Sequence, residues 1–359
     1  MENGLELAEA FYREIVADIV ESHVAPSGYS AALIGPGSEV LGYDDARSTD
    51  HDWGPRLQLL LSDATGTADL EALHADLDQR LPDTFRSRAV RFPLSREPQR
   101  RHRVEVTTSA AWFRAQIGFD PSHGIELVDW LAVPMARLAE VTGGRVFHDG
   151  PGVVGRSRSA LAWYPDDVWR WVLAAQWRRI AQEEAFPGRC AERGDMLGAS
   201  VVVARLIRDI MRLWLLMARV YPPYAKWLGT AFARLPDSDL VIGDLKRAAV
   251  APDWPTQQRH LGAALVATAR RQNDLKLAER CPSTLQPFHD RPYLVVGGDR
   301  FAAALLARVE DPRLRAVPLT GVCDQYLDST DAVGRLDFVR AATTALLAAT
   351  DGPTLDGWT

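Results

Sequence analysis

The patterning of this chain changes once, near residue 155, and that change bounds what it can fold into. Before it, short apolar runs alternate with Gly and Pro breaks and one or two amphipathic stretches. After it, long helical patterns dominate, over 165–185, 195–220, 225–234 and 256–279, with Trp163, Trp169, Trp171, Trp177, Trp214 and Trp227 spaced to fill the core of a helical bundle. The expectation is an α+β fold with a mixed sheet first and an all-α C-terminal region after it. The expected division is 1–150, then a helical bundle at 151–285, then a mostly helical extension at 286–359.

Within the first 150 residues, Leu5, Ala8, Phe11, Ile15 and Ile19 mark one face of a helix over 5–23. Tyr29 to Ile34 reads as a buried strand that Gly35-Pro36-Gly37-Ser38 breaks sharply. Leu57 to Leu61 is the next strand, residues 67–80 an acidic helix with Leu70, Leu73 and Leu77 inward, and His102 to Thr107 an alternating strand carrying Glu105. A helix follows near 134–142.

Composition narrows the function classes. At 359 residues, 47% hydrophobic and 25% charged, the chain is long enough for two or three units with cores of their own. A net charge of -6 argues against a dedicated nucleic-acid binder. Cys190, Cys281 and Cys323 are sparse, odd in number and without metal spacing, which fits a reducing cytoplasm. Met1 to Val24 does not read as a signal peptide, and the most apolar helix, near 196–220, carries Arg205, Arg208, Asp209 and Arg212, so no membrane span is expected. Only Lys226, Lys246 and Lys276 are lysines; the rest of the 41 basic residues are arginine, the mark of codon bias.

The chemistry concentrates on Gly37-Ser38 and Asp50-His51-Asp52. If the acids lie on a strand, Asp50 and Asp52 share a face, and two adjacent carboxylates call for a cation. A hard ion such as Mg²⁺ or Mn²⁺, sharing its shell with phosphate oxygens, answers that need. Glu105 on a neighbouring strand would complete a set able to hold two metals for an in-line phosphoryl substitution. Gly37 lets the backbone approach a phosphate, and the Ser38 hydroxyl adds a donor. Reading His51-Asp52 instead as a phosphohydrolase dyad needs a helix, which Gly54-Pro55 forbids.

This order of a Gly-Ser turn, an Asp-x-Asp pair and a later single carboxylate resembles the DNA polymerase β-like nucleotidyltransferase superfamily. More narrowly, Ser-Thr-Asp-His-Asp-Trp-Gly-Pro-Arg (48–56), Ala-Gln-Trp-Arg-Arg-Ile-Ala-Gln-Glu-Glu-Ala-Phe (175–186) and Tyr-Pro-Pro-Tyr-Ala-Lys-Trp-Leu-Gly (221–229) look like a bacterial family of unknown function within it. The resemblance implies transfer of a nucleoside monophosphate from a nucleoside triphosphate, ATP being the expected one, to a hydroxyl acceptor with release of pyrophosphate. It implies metal binding and catalysis by Asp50, Asp52 and Glu105, and phosphate binding by Gly37 and Ser38. A cleft between the two regions would hold the substrates.

The helical region offers further candidates. By the same analogy Glu183 or Glu184 would deprotonate the acceptor, or else they form an exposed helix-end pair. Arg205, Arg208, Asp209 and Arg212 share one helix face, as an internal ion-pair network or as a triphosphate site. Lys226, between Tyr224 and Trp227, is a candidate phosphate ligand. The Arg-rich stretch 86–103 lacks the aromatic interleaving of an RNA reader and reads as a solvated hairpin. The alternative from another class is a catalytically silent nucleotide-binding regulatory or antitoxin-like module; a protein-modifying adenylyltransferase is a third.

Overall fold

The computed structural model describes residues 3–45, 52–95 and 97–349. It divides into two compact units: Met1–Asp129 with Met135–Ala162, and Trp130–Pro134 with Trp163–Thr359. The change in patterning near 155 thus lies close to the change of unit. The stretches 151–285 and 286–359 fall largely together in the second unit.

The first unit opens with helix α1 (Gly4–Phe11), which runs on through a wider turn at Tyr12–Val16 and a last helical turn at Ala17–Glu21. Asn3 starts it with a capping box: its side chain accepts from Glu6 N at 2.8 Å, while Glu6 returns to the Asn3 N–H. A five-stranded mixed sheet follows. Its strands are β1 (Tyr29–Leu33), β2 (Arg56–Leu61), β3 (Arg91–Leu94), β4 (Glu97–Thr108) and β5 (Arg145–Asp149), in the spatial order β3-β4-β2-β1-β5. β1 and β2 are antiparallel; β2 and β4 are parallel, with Gln58 opposite Glu105 and Arg56 opposite Arg103. Helix α2 (Thr67–Arg80) makes the crossover between that parallel pair.

Strand periodicity sorts the two faces. Leu57, Leu59, Leu61 and Val104 point into one hydrophobic cluster with Leu73 and Leu77 of α2 and with Phe11, Val16 and Ile19. Arg56, Gln58, Arg103 and Glu105 therefore belong to the other face. Helix α3 (Ser109–Ile117) follows β4 directly, capped by Thr108 and ended by Gly118 in the left-handed conformation at φ 86°.

The second unit is built on α4 (Asp166–Glu183), α5 (Met196–Met217), α6 (Trp254–Asp274) and α7 (Gly298–Leu306), with shorter helices between and after them. Asp195 and Asp253 cap α5 and α6, accepting from Gly198 N at 2.7 Å and Thr256 N at 2.8 Å. Trp169, Trp171, Trp177 and Trp214 are buried, whereas Trp163 and Trp227 are half-buried. Three of the buried indoles find acceptors: Trp169 on Leu216 O, Trp177 on Gln272 Oε1 and Trp214 on Thr268 Oγ1, at 2.9, 3.0 and 2.8 Å. Each thus buries a large apolar surface without stranding its N–H. The region is not strictly all-α. Strands β6 (Gln286–Pro287) and β7 (Leu294–Val295) form a two-stranded ribbon, because Tyr293, Val295 and Val296 are buried and need an extended chain to reach the core.

Among the described residues no helix is long and apolar enough to cross a membrane.

Candidate functional site

On the polar face of the sheet, the Gly35–Glu39 turn is tied to β2 by one arginine. Arg56 Nε and Nη2 both donate to Glu39 Oε1, at 2.9 and 2.5 Å, and Nη2 also donates to Pro36 O at 2.7 Å. The Glu39 side chain is only 4% exposed, so the pair is shielded from water. Tyr43 N donates to Ser38 O at 2.8 Å and closes the loop behind it. Gly37 sits at φ 152°, and a Cβ there would lie 2.3 Å from Arg56 Nη2 and 2.8 Å from Glu39 Oε2. Glycine is required at that point. Two residues along β2, Gln58 Oε1 accepts from Ile34 N at 3.1 Å and holds the end of β1. Among the described residues no helix follows the Gly-Ser pair; the chain continues in turns through Gly42.

Glu105 stands beside Gln58 on the parallel strand. Its carboxyl reaches solvent, yet protein atoms crowd it on one side, and that desolvation raises its pKa above the usual carboxylate range. Gln58 donates to it and Arg56 lies close enough to oppose the rise. The Trp112 indole also acts on it electrostatically, although the buried Nε1 reaches no hydrogen-bond geometry with any described acceptor. Gly35 packs against that indole: a Cβ there would lie 3.2 Å from Trp112 Cζ2.

Of the Asp-x-Asp motif only Asp52 is described, and it departs from the strand expectation. Asp50 and His51 lie outside the described residues. Asp52 is not on a strand: it adopts φ 53°, and β2 begins only at Arg56, after Gly54 at φ 158° and Pro55. Position 54 favours glycine, because its φ is one that L-residues avoid and a Cβ would meet the Phe92 ring at 2.7 Å. The Asp52 carboxylate is partly engaged, with Oδ1 accepting from Ser95 N at 2.5 Å. Among the described residues neither Asp52 nor Glu105 belongs to a three-ligand cluster at metal spacing.

The helical candidates belong to the second unit. Glu184 is not a free carboxylate: Oε2 accepts from Val296 N and Gly297 N at 2.8 and 3.2 Å, and Oε1 from Gly298 N at 2.9 Å. It caps the start of α7, and its base role falls away on that ground. Glu183 is gripped by Arg205, whose Nε and Nη2 reach its two oxygens at 3.0 and 2.6 Å. Asp209 is buried and lies 3.6 Å from Arg179 Nε and 3.8 Å from Arg208 Nε. Arg212 donates to Asp324 O at 3.1 Å, and burial lowers its pKa. Asp209 with Arg179 and Arg208 thus forms a buried ion-pair cluster, whereas Arg205 with Glu183 is an exposed pair. Lys226 is exposed, with Nζ 4.7 Å from the Trp227 ring centre.

Glu39, Gln58 and Trp112 escape a motif reading of the sequence, and Arg56 enters it only as the last residue of the 48–56 stretch, with no role assigned. One signal was available: Arg56 and Gln58 alternate with leucines, so they mark the polar face of an otherwise apolar strand.

Residues 130–228 match the model of a family described as Domain of unknown function (DUF4037). Comparison with curated proteins and with solved structures finds no match. The family match supports a relationship between this part of the chain and a family whose function is unknown.

Proposed function

We propose that the first unit is a nucleotidyltransferase domain that moves a nucleoside monophosphate from a nucleoside triphosphate, ATP in the first instance, to a hydroxyl acceptor. The observation that supports this most is the placement of Glu105 in register with Gln58, on the sheet face shared with Arg56, which grips the Gly37-Ser38 turn. A glycine turn, a rigid strand and an accessible carboxyl with raised proton affinity then belong to one structural assembly.

The residues have separable roles in this reading. Ser38 donates its hydroxyl to a phosphate oxygen, and Arg56 fixes the turn without spending its charge on the ligand. Glu105 takes the proton from the acceptor hydroxyl as its oxygen attacks the α-phosphorus; the bond to the bridging oxygen breaks and pyrophosphate leaves. A raised pKa suits that work, since a stronger base accepts the proton more readily near neutrality. Carboxylate donors fit a hard dication such as Mg²⁺, which Asp50 and Asp52 would hold and which would neutralise phosphate charge. One oxygen of Asp52 serves Ser95, leaving the other as the donor. Lys226 and Arg205 remain outside this account.

The test is equilibrium binding of ATP–Mg²⁺ to the wild type and to the double substitution Asp50→Asn with Asp52→Asn. Affinity is expected to fall by at least about tenfold, the usual scale for a lost metal-site group; unchanged affinity rejects the assignment. A second reading, a catalytically silent nucleotide-binding module, draws on the capture of Asp52 by Ser95 N–H. It differs in binding ATP without releasing pyrophosphate.

A further inference from the structure

The apolar face of the same sheet carries a second cluster that nucleotide chemistry does not use. His74 and Asp78 lie one turn apart on α2 and so share a helix face. His102 belongs to β4, against which α2 packs. His102 Nε2 lies 3.4 Å from Asp78 Oδ1, and His74 Nε2 lies 3.8 Å from Asp78 Oδ2. The three ligand atoms all fall within 4.8 Å of one another. The two imidazoles stand 4.7 Å apart, tilted by 52°.

The telling group is His102. Its side chain is 0% exposed, and Nε2 has no hydrogen-bond partner among the described residues. A buried polar atom left unpaired is costly and calls for an explanation. Here it is aimed at a carboxylate whose neighbours do not neutralise it. Arg91 is held by Asp83 and by the carbonyls of Asp78 and Leu81, Arg101 by Glu97, and Arg80 and His23 by Asp76.

We propose that His74, Asp78 and His102 form a three-ligand site for a transition-metal dication of the zinc class. Two imidazoles and one carboxylate suit Zn²⁺, Co²⁺ or Ni²⁺ and do not suit Mg²⁺. Metal–ligand bonds of about 2.0–2.1 Å in a tetrahedron put neighbouring ligand atoms about 3.3 Å apart, so the observed spacing needs only small side-chain rotations. His74 and Asp78 are 46% and 51% exposed, so an ion enters from the solvent side and keeps water in its fourth position. Burial depresses the His102 pKa to about 4, which leaves its ring neutral and able to ligate at pH 7. His102 Nδ1 now accepts from Val104 N at 3.3 Å, so the ring proton is on Nε2. Binding moves that proton to Nδ1 and gives up this long contact, with no net proton released from the ring. The ion would then clip α2 to β4.

The experiment uses the full chain, stripped with a chelator and titrated with Co²⁺ followed by visible absorption, and with Zn²⁺ followed by calorimetry and thermal melting. One equivalent of Co²⁺ is expected to bind with the intense bands of a tetrahedral ion, and Zn²⁺ at a hundredfold excess over its Kd to raise Tm by roughly 5 °C. H74Q and D78N, both at half-exposed positions, are expected to melt like the metal-free wild type and each to weaken binding at least about tenfold. H23Q, which removes a histidine paired to Asp76 on the same helix, is expected to bind as wild type does. The proposal is overturned if the wild type takes up no Co²⁺, or if H74Q or D78N binds it as tightly as wild type.

Discussion

Arg56 and Glu39 form a shielded, two-pronged ion pair that joins the Gly-Ser turn to the central strand of the sheet, with Nε and Nη2 at 2.9 and 2.5 Å from the same carboxylate oxygen. Removing one partner strands the other in a poorly hydrated place. Arg56→Ala is expected to cost about 3 kcal/mol in urea unfolding. Glu39→Gln, which keeps an acceptor oxygen, should cost clearly less. Equal and negligible effects in both would mean that the pair is solvated and does not brace the turn.

Gly37→Ala tests the same brace from the backbone side. The new methyl would collide with the Arg56 guanidinium and with Glu39, at a φ that L-residues avoid. A loss of about 1–3 kcal/mol is expected. Ser38→Ala, which adds no bulk, should leave the melting curve in place and lower only affinity for triphosphate.

Glu184 gives a prediction for the second unit. Its carboxylate serves three backbone N–H groups at the start of α7. Glu184→Ala orphans all three, at a cost of about 1–3 kcal/mol for each group that water cannot reach. Thermal unfolding should show the loss in full, with no change in the affinity of the first unit for nucleotide.

The pH dependence of Glu105 follows from its sign. Its carboxyl is raised above the ordinary value by desolvation, so the folded state holds the proton more tightly than the unfolded chain does. Stability from this group is present below the ordinary glutamate pKa and is lost as pH rises through the raised one. Glu105→Gln is therefore expected to be more stable than wild type at pH 7 and indistinguishable from it well below pH 4. The gain is small because the carboxyl is accessible to solvent. Parallel stability–pH curves for the two proteins would contradict this.

Much of the fold is legible in the residues themselves. Helix α2 occupies the predicted 67–80, with Leu73 and Leu77 buried, because its leucines recur at helical spacing. The strand carrying Glu105 announces itself by alternation, although it runs on from Glu97 to Thr108. The strand expectation fails at Asp52, the one residue of Asp50–Asp52 that is described. Gly54 at φ 158° and Pro55 separate it from β2, which begins at Arg56, close to the expected Leu57. Arg56 and Glu39 pair across seventeen positions, and His102 meets Asp78 only because α2 crosses back over the parallel strand. Such contacts are properties of the crossover, which no local pattern encodes.

The central claim rests on turnover. The direct measurement is release of pyrophosphate from ATP labelled on the α-phosphate, with Mg²⁺ and the host's small molecules, proteins and tRNA offered as separate acceptor fractions. The account expects label to transfer to one fraction with stoichiometric pyrophosphate, and Glu105→Gln, folded as wild type, to lose about a hundredfold or more of that rate. Saturable ATP binding with no pyrophosphate from any fraction, or transfer that Glu105→Gln leaves intact, would contradict it.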